Sequence, residues 1–266
     1  MLKGSLLTAR KSSHVFLAVI KALFLRELNM RMSTGRIGLF WTFFEPFAQV
    51  GMFVLIRVAI IGKGAGSNYD FAVFMASGFI AFNVFRNVLG TSAGAFIANK
   101  ALFTYRQVKP IDTIISRLLV EIFISSIIII LFLFIGFIVG SEIKPENMVL
   151  VAAGYFWLII FSFAMGLLVA IGNTFFLSIG KIVSIMSFGL MIFSGVFYPM
   201  ESIPIEAQEI LIYNPLIHFM EMIHANYIYE LDDGFVDYIY MLKWTITPLF
   251  VAMWLYVRLE KKIISL

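Results

Sequence analysis

The sequence contains no cysteine and few charged residues. Lys, Arg, Asp and Glu make up 14% of its 266 residues, whereas 61% are hydrophobic; soluble domains are roughly a quarter charged. The missing cysteines exclude a disulfide framework and thiolate metal sites. A soluble fold of this length could not bury so much apolar surface. The composition therefore predicts a polytopic membrane protein.

Signatures of enzymes are also missing. No glycine-rich loop ends in a Lys-Ser or Lys-Thr pair, so the chain has no nucleotide site of its own, and we expect no cofactor in it. Scattered serines and three histidines give no nucleophile–base pair. His218 and Glu221 have metal-like spacing but lack a convincing third ligand, so we expect no metal. No compact apolar core follows the polar, basic residues 1–15, so we expect no cleavable signal peptide.

Long apolar segments predict an all-α fold with six transmembrane helices. A crossing needs roughly 20 mostly apolar residues. The six candidate spans are 37–61, 71–90, 111–140, 149–172, 182–197 and 237–256. They form one transmembrane domain, 37–257, between a cytoplasmic N-terminus (1–36) and a basic cytoplasmic tail (258–266).

The distribution of Lys and Arg predicts the orientation. Residues 199–237, between the last two spans, carry eight acidic residues and no Lys or Arg, and the other connections on that side carry only Lys63 and Lys144. Cytoplasmic loops are enriched in Lys and Arg. We therefore place both termini in the cytoplasm. The basic residues on that side are Lys3, Arg10, Lys11, Lys21, Arg26, Arg31, Arg36, Lys100, Arg106, Lys109, Lys181, Arg258, Lys261 and Lys262.

Three segments depart from a simple pattern of spans and loops. Residues 16–31 suit an amphipathic helix in the inner interface, with long cations reaching lipid headgroups; a plain basic tail is the alternative. Residues 93–112 form a basic connection in which Pro110 starts the next helix; an ordinary positive loop is the alternative. Residues 199–237 contain two short helices, 205–213 and 216–229. These either dip into the outer leaflet or form an external cap.

Charges inside the spans indicate function, because ionisable groups in lipid usually face protein or water. Glu45 precedes Pro46 in the first span, and Arg57 and Arg86 lie nearer span ends, where snorkelling to the interface is the alternative. Arg117 and Glu121 are four residues apart and can pair. Tyrosines of the outer segment fit either an interfacial belt or a carbohydrate path.

Several motifs resemble the permease of group 2 capsule polysaccharide exporters, a family of the ABC-2 transporter class. The motifs are Ala22-Leu-Phe-Leu-Arg-Glu-Leu28, Arg36-Ile-Gly38, Trp41, Glu45-Pro46, the specific run from Leu102 to Ile115, Arg117, Ser202-Ile-Pro204, Asn214-Pro-Leu-Ile-His218 and Glu221. They occur in the family's order from about Ala22 to Glu221. The remaining residues offer only a span and a basic tail.

The resemblance implies a coupling helix around Asn99–Asp112 that docks on an ATPase, and re-entrant periplasmic helices between the fifth and sixth spans. It implies a homodimer with two nucleotide-binding subunits that bind ATP and Mg, a periplasmic co-polymerase, an outer-membrane channel and an anionic lipid-linked polysaccharide, with no nucleic acid. The coupling residues it implies are Asn99, Lys100, Tyr105, Arg106, Lys109, Pro110 and Asp112.

A path for the substrate through the inner membrane follows from the same resemblance and from the intramembrane charges and aromatics. Its predicted residues are Arg26, Arg31, Arg36, Trp41, Glu45, Arg57, Arg86, Tyr198, Tyr213, His218 and Glu221. Export of O-antigen or a teichoic-acid-like polymer by the same machine, a stand-alone glycolipid transferase and a passive channel are the alternatives. The sequence has neither a clear Asp cluster nor a metal set, which argues against the transferase, and a passive channel would not need the coupling segment.

Overall fold

A computed structural model of the chain describes residues 12–32, 35–61, 69–141 and 143–265. Within these ranges every regular element is helical, as predicted, and α10 continues through the expected tail as far as Ser265. The α-helices are α1 (Ser12–Met32), α2 (Gly35–Ile61), α3 (Phe71–Ala93), α4 (Ala95–Ala98), α5 (Pro110–Val139), α6 (Met148–Phe175), α7 (Ser178–Ile192), α8 (Ile205–Leu211), α9 (Pro215–Tyr227) and α10 (Tyr238–Ser265).

Local caps explain where the long helices begin and end. The Asp70 side chain accepts a hydrogen bond from the Ala72 amide at 2.9 Å at the start of α3. Pro110 occupies the first turn of α5, where a missing N–H costs nothing. That helix ends at Gly140, whose φ of +80° suits glycine. These are the signals from which span boundaries can be predicted.

In the part of the chain that the structure describes, five helices are long and apolar enough to cross a membrane: α2, α3, α5, α6 and α10. The predicted span 182–197 corresponds to α7, which has 15 residues and stops at Ile192. At 1.5 Å per residue such a helix is about 22 Å long, shorter than a hydrocarbon core of roughly 30 Å. The chain ends the helix in a turn at Gly195, where φ is +74°. A multispanning helical protein is confirmed, while six crossings stay a prediction.

The core lies where α3, α6 and α9 meet. Of the apolar stretch of α3, 72% is buried inside the protein, compared with 6% for α2. Phe161 of α6 stacks between Phe85 of α3 and Phe219 of α9, at centroid distances of 5.6 and 5.2 Å. A Cβ at Gly166 would lie 2.9 Å from the Ser92 hydroxyl, so glycine permits the close approach of α6 to α3. Helix α2, by contrast, lies on the surface of the chain, with most of its side chains exposed or only partly buried.

The segment around Asn99–Asp112 does not form the single helix that the resemblance implied. A 3-10 helix covers Lys100–Thr104, and the backbone is extended at Tyr105 and again at Lys109. The extended conformation at Lys109 follows from Pro110, because proline disfavours helix at the residue before it. The segment is therefore a short helical turn followed by a loop, which leads directly into α5.

Candidate functional site

The predicted coupling residues form an exposed turn on a buried base. Tyr105 is 66% exposed, and the side chains of Lys100, Arg106 and Lys109 are exposed beside it. The base consists of buried side chains from the ends of the segment: Asn99, Phe103, Pro110 and Asp112. This arrangement presents cations on the surface of a rigid support.

Two side-chain contacts fix the ends of this turn. Asn99 donates a hydrogen bond of 2.7 Å to the Ala95 carbonyl. Asp112 accepts one of 2.9 Å from the Lys109 amide, which caps α5. The turn is thereby joined directly to α5 by a hydrogen-bonded cap.

Helix α1 is fastened to the same base by charged side chains. Arg26 donates to the Asn99 side chain, Arg31 pairs with Glu121, and Arg117 lies 3.1 Å from the Glu27 carboxylate. The predicted pairing of Arg117 with Glu121 is therefore wrong. Helix α1 packs against α5. It brings Glu27 to Arg117 and Arg31 to Glu121, so each of these two charges on α5 meets an opposite charge.

The expectation that the long cations of α1 reach lipid headgroups is corrected at Arg31. Arg31 points to Glu121 rather than to lipid headgroups. Leu17 is 62% exposed, whereas Leu23 and Glu27 are buried, with exposed fractions of only 6% and 7%. The buried face thus carries charge as well as apolar groups, which a search for an apolar stripe overlooks.

A polar cavity of about 180 Å³ lies between α2, α3 and α5, beside the end of α1. It brings together three predicted path residues: Arg31, Glu45 and Arg86. Two other path residues are elsewhere: Trp41 is 53% exposed and stacks edge-on against Phe44, and Arg26 contacts Asn99. The side chain of Arg36 lies outside the described residues.

The remaining path candidates lie at the other end of the molecule and contact protein. The Arg57 guanidinium lies 3.8 Å from the centroid of the Phe71 ring. Tyr198 donates to the Ile192 carbonyl at 2.8 Å, and the exposed Tyr213 accepts from the Tyr240 hydroxyl at its carbonyl. These contacts assemble the outer segment, and the candidates do not share one cavity with Glu45 and Arg86.

His218 and Glu221 hold the outer segment to α9. The His218 Nε2 lies 2.8 Å from the Ile212 carbonyl, and its Nδ1 accepts from the Asp237 amide at 3.1 Å. Glu221 is 1% exposed and accepts from the Met200 amide at 2.9 Å. Burial raises the pKa of Glu221 to about 7. Both ring nitrogens of His218 are thus engaged by backbone groups, and no cluster of three metal-ligating side chains occurs in the described ranges.

His224, the second histidine of α9, lies six residues after His218 and packs in the core. His224 is fully buried, with its ring 4.0 Å from that of Phe74, and burial lowers its pKa to about 3. A Cβ at Gly78 would lie 2.5 Å from its Nε2, so the histidine occupies space that glycine leaves open. A neutral histidine packed this way is a core residue, and only the pairing with Gly78 would have indicated it.

Comparison with known proteins supplies the family. The model of the ABC-2 type transporter family matches residues 18–228. The polysialic acid transport protein KpsM of Escherichia coli is 33% identical over 264 residues, which cover 97% of this chain and 99% of that protein. The capsule polysaccharide export inner-membrane proteins BexB of Haemophilus influenzae and CtrC of Neisseria meningitidis are 30% and 29% identical. They cover 84% and 79% of this chain, and 84% and 78% of their own lengths. The chain therefore belongs to the ABC-2 type transporter family.

Proposed function

We propose that the chain is the membrane permease of an ATP-driven exporter of lipid-linked capsular polysaccharide. The carrying observation is the exposed basic turn at 100–109, joined to α5 through Asp112 and to α1 through the adjoining Asn99, in a chain whose sequence contains no nucleotide loop. A protein that uses ATP without binding it needs a surface on which a partner ATPase can push. Relatives named for capsule polysaccharide export favour that cargo over O-antigen or teichoic-acid-like polymers.

The turn is suited to transmit force to the membrane helices. Lys109 is exposed, while Asp112, three residues on, is buried and capped by the Lys109 amide. The Arg26–Asn99 contact and the two ion pairs bind α1 to the same body. A shallow groove of about 530 Å³, lined partly by Lys100, Phe103 and Ile264, offers a partner further contact surface beside the turn. ATP binding by the partner would then move α5 and α1 together.

The rest of the assembly follows from this role. Two copies of the chain pair with two ATPase subunits, which bind ATP and Mg, and the polymer passes between the permeases. The termini and the turn face the cytoplasm, since the basic loops lie on that side. The outer helices α8 and α9 enter the outer leaflet, where α9 is covered by protein. A periplasmic co-polymerase and an outer-membrane channel receive the polymer.

Charge reversal at the turn tests this proposal. Arg106→Glu with Lys109→Glu places acidic groups where the ATPase would meet basic ones, and like charges across an interface cost several kcal/mol. We expect at least a tenfold loss of the ATPase that co-purifies from native membranes, and loss of surface polysaccharide. Mass spectrometry and capsule immunoblotting measure the two effects.

A matched control separates coupling from insertion. Lys144→Glu changes an exposed cation on the opposite connection and should leave both readouts unchanged. It is compared with Arg106→Glu alone, so that both variants carry the same change of charge. Normal export by the double variant, at normal membrane levels, would refute the assignment of the turn.

A further inference from the structure

The cavity between α2, α3 and α5 contains more polar groups than the protein satisfies. Its volume of about 180 Å³ equals roughly six water molecules, at ~30 Å³ each. Drug-sized pockets occupy roughly 300–1,000 Å³, so one small ring fits here but a polymer segment does not. The polar side chains that line it include Glu45, Gln49, Asn83, Arg86, Asn87 and Glu121.

The two cations and two carboxylates around the cavity balance in number but are not all paired with one another. Arg31 and Glu121 neutralise each other as an ion pair. Glu45, at the exposed rim, accepts a hydrogen bond of 3.1 Å from Gln49. Arg86 has no hydrogen-bond or ion-pair partner among residues 12–32, 35–61, 69–141 and 143–265. Arg86 is half-buried and faces this cavity, so its guanidinium N–H groups remain available to a bound molecule.

Asn83 gives a second, independent sign of a missing partner. Its side-chain oxygen is buried and has no hydrogen-bond partner in the part of the chain that the structure describes. Buried polar atoms are nearly always satisfied by protein or by ordered water, and a ligand hydroxyl can take the place of such a water. Asn83 and Arg86 are three residues apart on α3 and line the same cavity. Both therefore present unused hydrogen-bonding groups to one small volume.

These groups match an anionic sugar. A guanidinium binds a carboxylate through two parallel hydrogen bonds. Asparagine and glutamine amides both donate and accept, and a carboxylate such as Glu45 accepts from hydroxyls. A sugar ring that carries one acidic group and several hydroxyls complements this lining. The cation Arg86 matches the acidic group, and the amides and the rim carboxylate match the hydroxyls.

We propose that this cavity binds a single acidic sugar unit, with its carboxylate on Arg86 and its hydroxyls on Asn83, Asn87 and Glu45. The inference rests on the proposed function and adds where the cargo is recognised. The lining residues named here come from one chain, so the permease should bind the sugar without its ATPase. Entry is through the rim at Glu45, on the side of the sparsely packed α2.

The test uses the full-length chain alone, in phosphatidylcholine nanodiscs, without an ATPase. Binding of glucuronate, glucose and inorganic phosphate is followed by saturation-transfer difference NMR. We expect glucuronate to bind at least tenfold more tightly than glucose or phosphate. Arg86→Gln and Asn83→Leu should each weaken glucuronate binding about tenfold or more, and Arg86→Lys should recover only part of it, because lysine cannot form the bidentate contact.

The control variant is Arg258→Gln, which removes a cation near Trp254 on α10 and should bind as the parent does. Thermal midpoints identify any variant that fails to fold. Because Arg86 and Asn83 are substituted separately, one folded variant is enough to test the site. Equal binding of glucuronate and glucose, or no effect of Arg86→Gln, overturns the proposal. Phosphate binding that equals glucuronate binding and depends on Arg86 also overturns it, in favour of a phosphate site. An exporter without this site would still recruit its ATPase, so the two proposals fail separately.

Discussion

The ion pair between α1 and α5 gives a quantitative test of how the cytoplasmic end is held. Glu27 and Arg117 lie 3.1 Å apart, and each side chain is only 10% exposed. Removing one partner of a buried pair costs about 3–5 kcal/mol. Arg117 also donates to the Thr91 carbonyl and retains that contact in Glu27→Gln. We therefore expect this substitution to weaken the docking of α1 by about 2 kcal/mol, less than for a fully isolated charge.

The missing cysteines make this measurable, because an introduced cysteine is the only thiol. Leu23→Cys places a thiol on the buried face of α1, where the native side chain is 6% exposed. Maleimide reaches it only when α1 leaves α5, so the labelling rate reports the population of the undocked state. A loss of about 2 kcal/mol raises that rate about 30-fold, at 1.4 kcal/mol per factor of ten.

Leu17→Cys is the matched control, since Leu17 lies on the same helix and is 62% exposed. Its labelling should be fast in both backgrounds. A double-mutant cycle of Glu27→Gln with Arg117→Gln isolates the energy of the ion pair. The variant that carries both substitutions should label more slowly than the sum of the two single free-energy changes predicts. A labelling rate of Leu23→Cys that changes less than about twofold in the Glu27→Gln background would refute the conclusion that this ion pair holds α1 against α5.

Two further predictions concern the core and the outer segment. Gly78→Ala places a Cβ 2.5 Å from the His224 ring and should destabilise the protein by about 1–3 kcal/mol. Gly90→Ala on the same helix is the control, because its Cβ would meet nothing within 4 Å and should not destabilise the protein. Thermal midpoints measure both variants, and equal midpoints for Gly78→Ala and Gly90→Ala would contradict the packing of His224 against Gly78. Because the folded pKa of Glu221 is raised from 4.5 to about 7, its protonated form is favoured in the fold and stability should fall as pH rises from about 4.5 to 7. Glu221→Gln should flatten that slope, and an unchanged pH profile of the midpoint would contradict it.

Helix boundaries were predictable where the chain itself signals them. Pro110 starts α5 and Gly140 follows its end, as proline and glycine statistics indicate. Asn214 caps α9 through the Leu216 amide and Pro215 follows in the first turn, an arrangement typical of helix starts. The end of α7 at Ile192 was missed, because Phe193 and Val196 are apolar and hydropathy does not distinguish a buried turn from a helix.

Partners of the charged residues were not predictable from the sequence. Spacing on one helix favoured Arg117 with Glu121, but packing of α1 supplied Glu27 and Arg31 instead. The sequence marks Glu45 and Arg86 as intramembrane charges and Arg31 as a cation of the interfacial helix, and the fold places all three at one cavity. Glu221 was selected by resemblance, and its carboxylate caps the turn at Met200. Contacts between helices distant in sequence depend on the assembled bundle, which local patterns do not encode.

The burial of α3 has a consequence for biogenesis. Its partners α6 and α9 begin at Met148 and Pro215, far along the chain from Ala93, where α3 ends. At about 5–20 residues per second, α9 is synthesised roughly 6–25 s after α3 is complete. During that interval a helix meant to be wrapped by protein, carrying Asn83 and Arg86, must reside beside lipid or the insertion machinery. The second half of the chain thus completes the insertion of the first, and nascent chains that stop before Pro215 should be rapidly degraded.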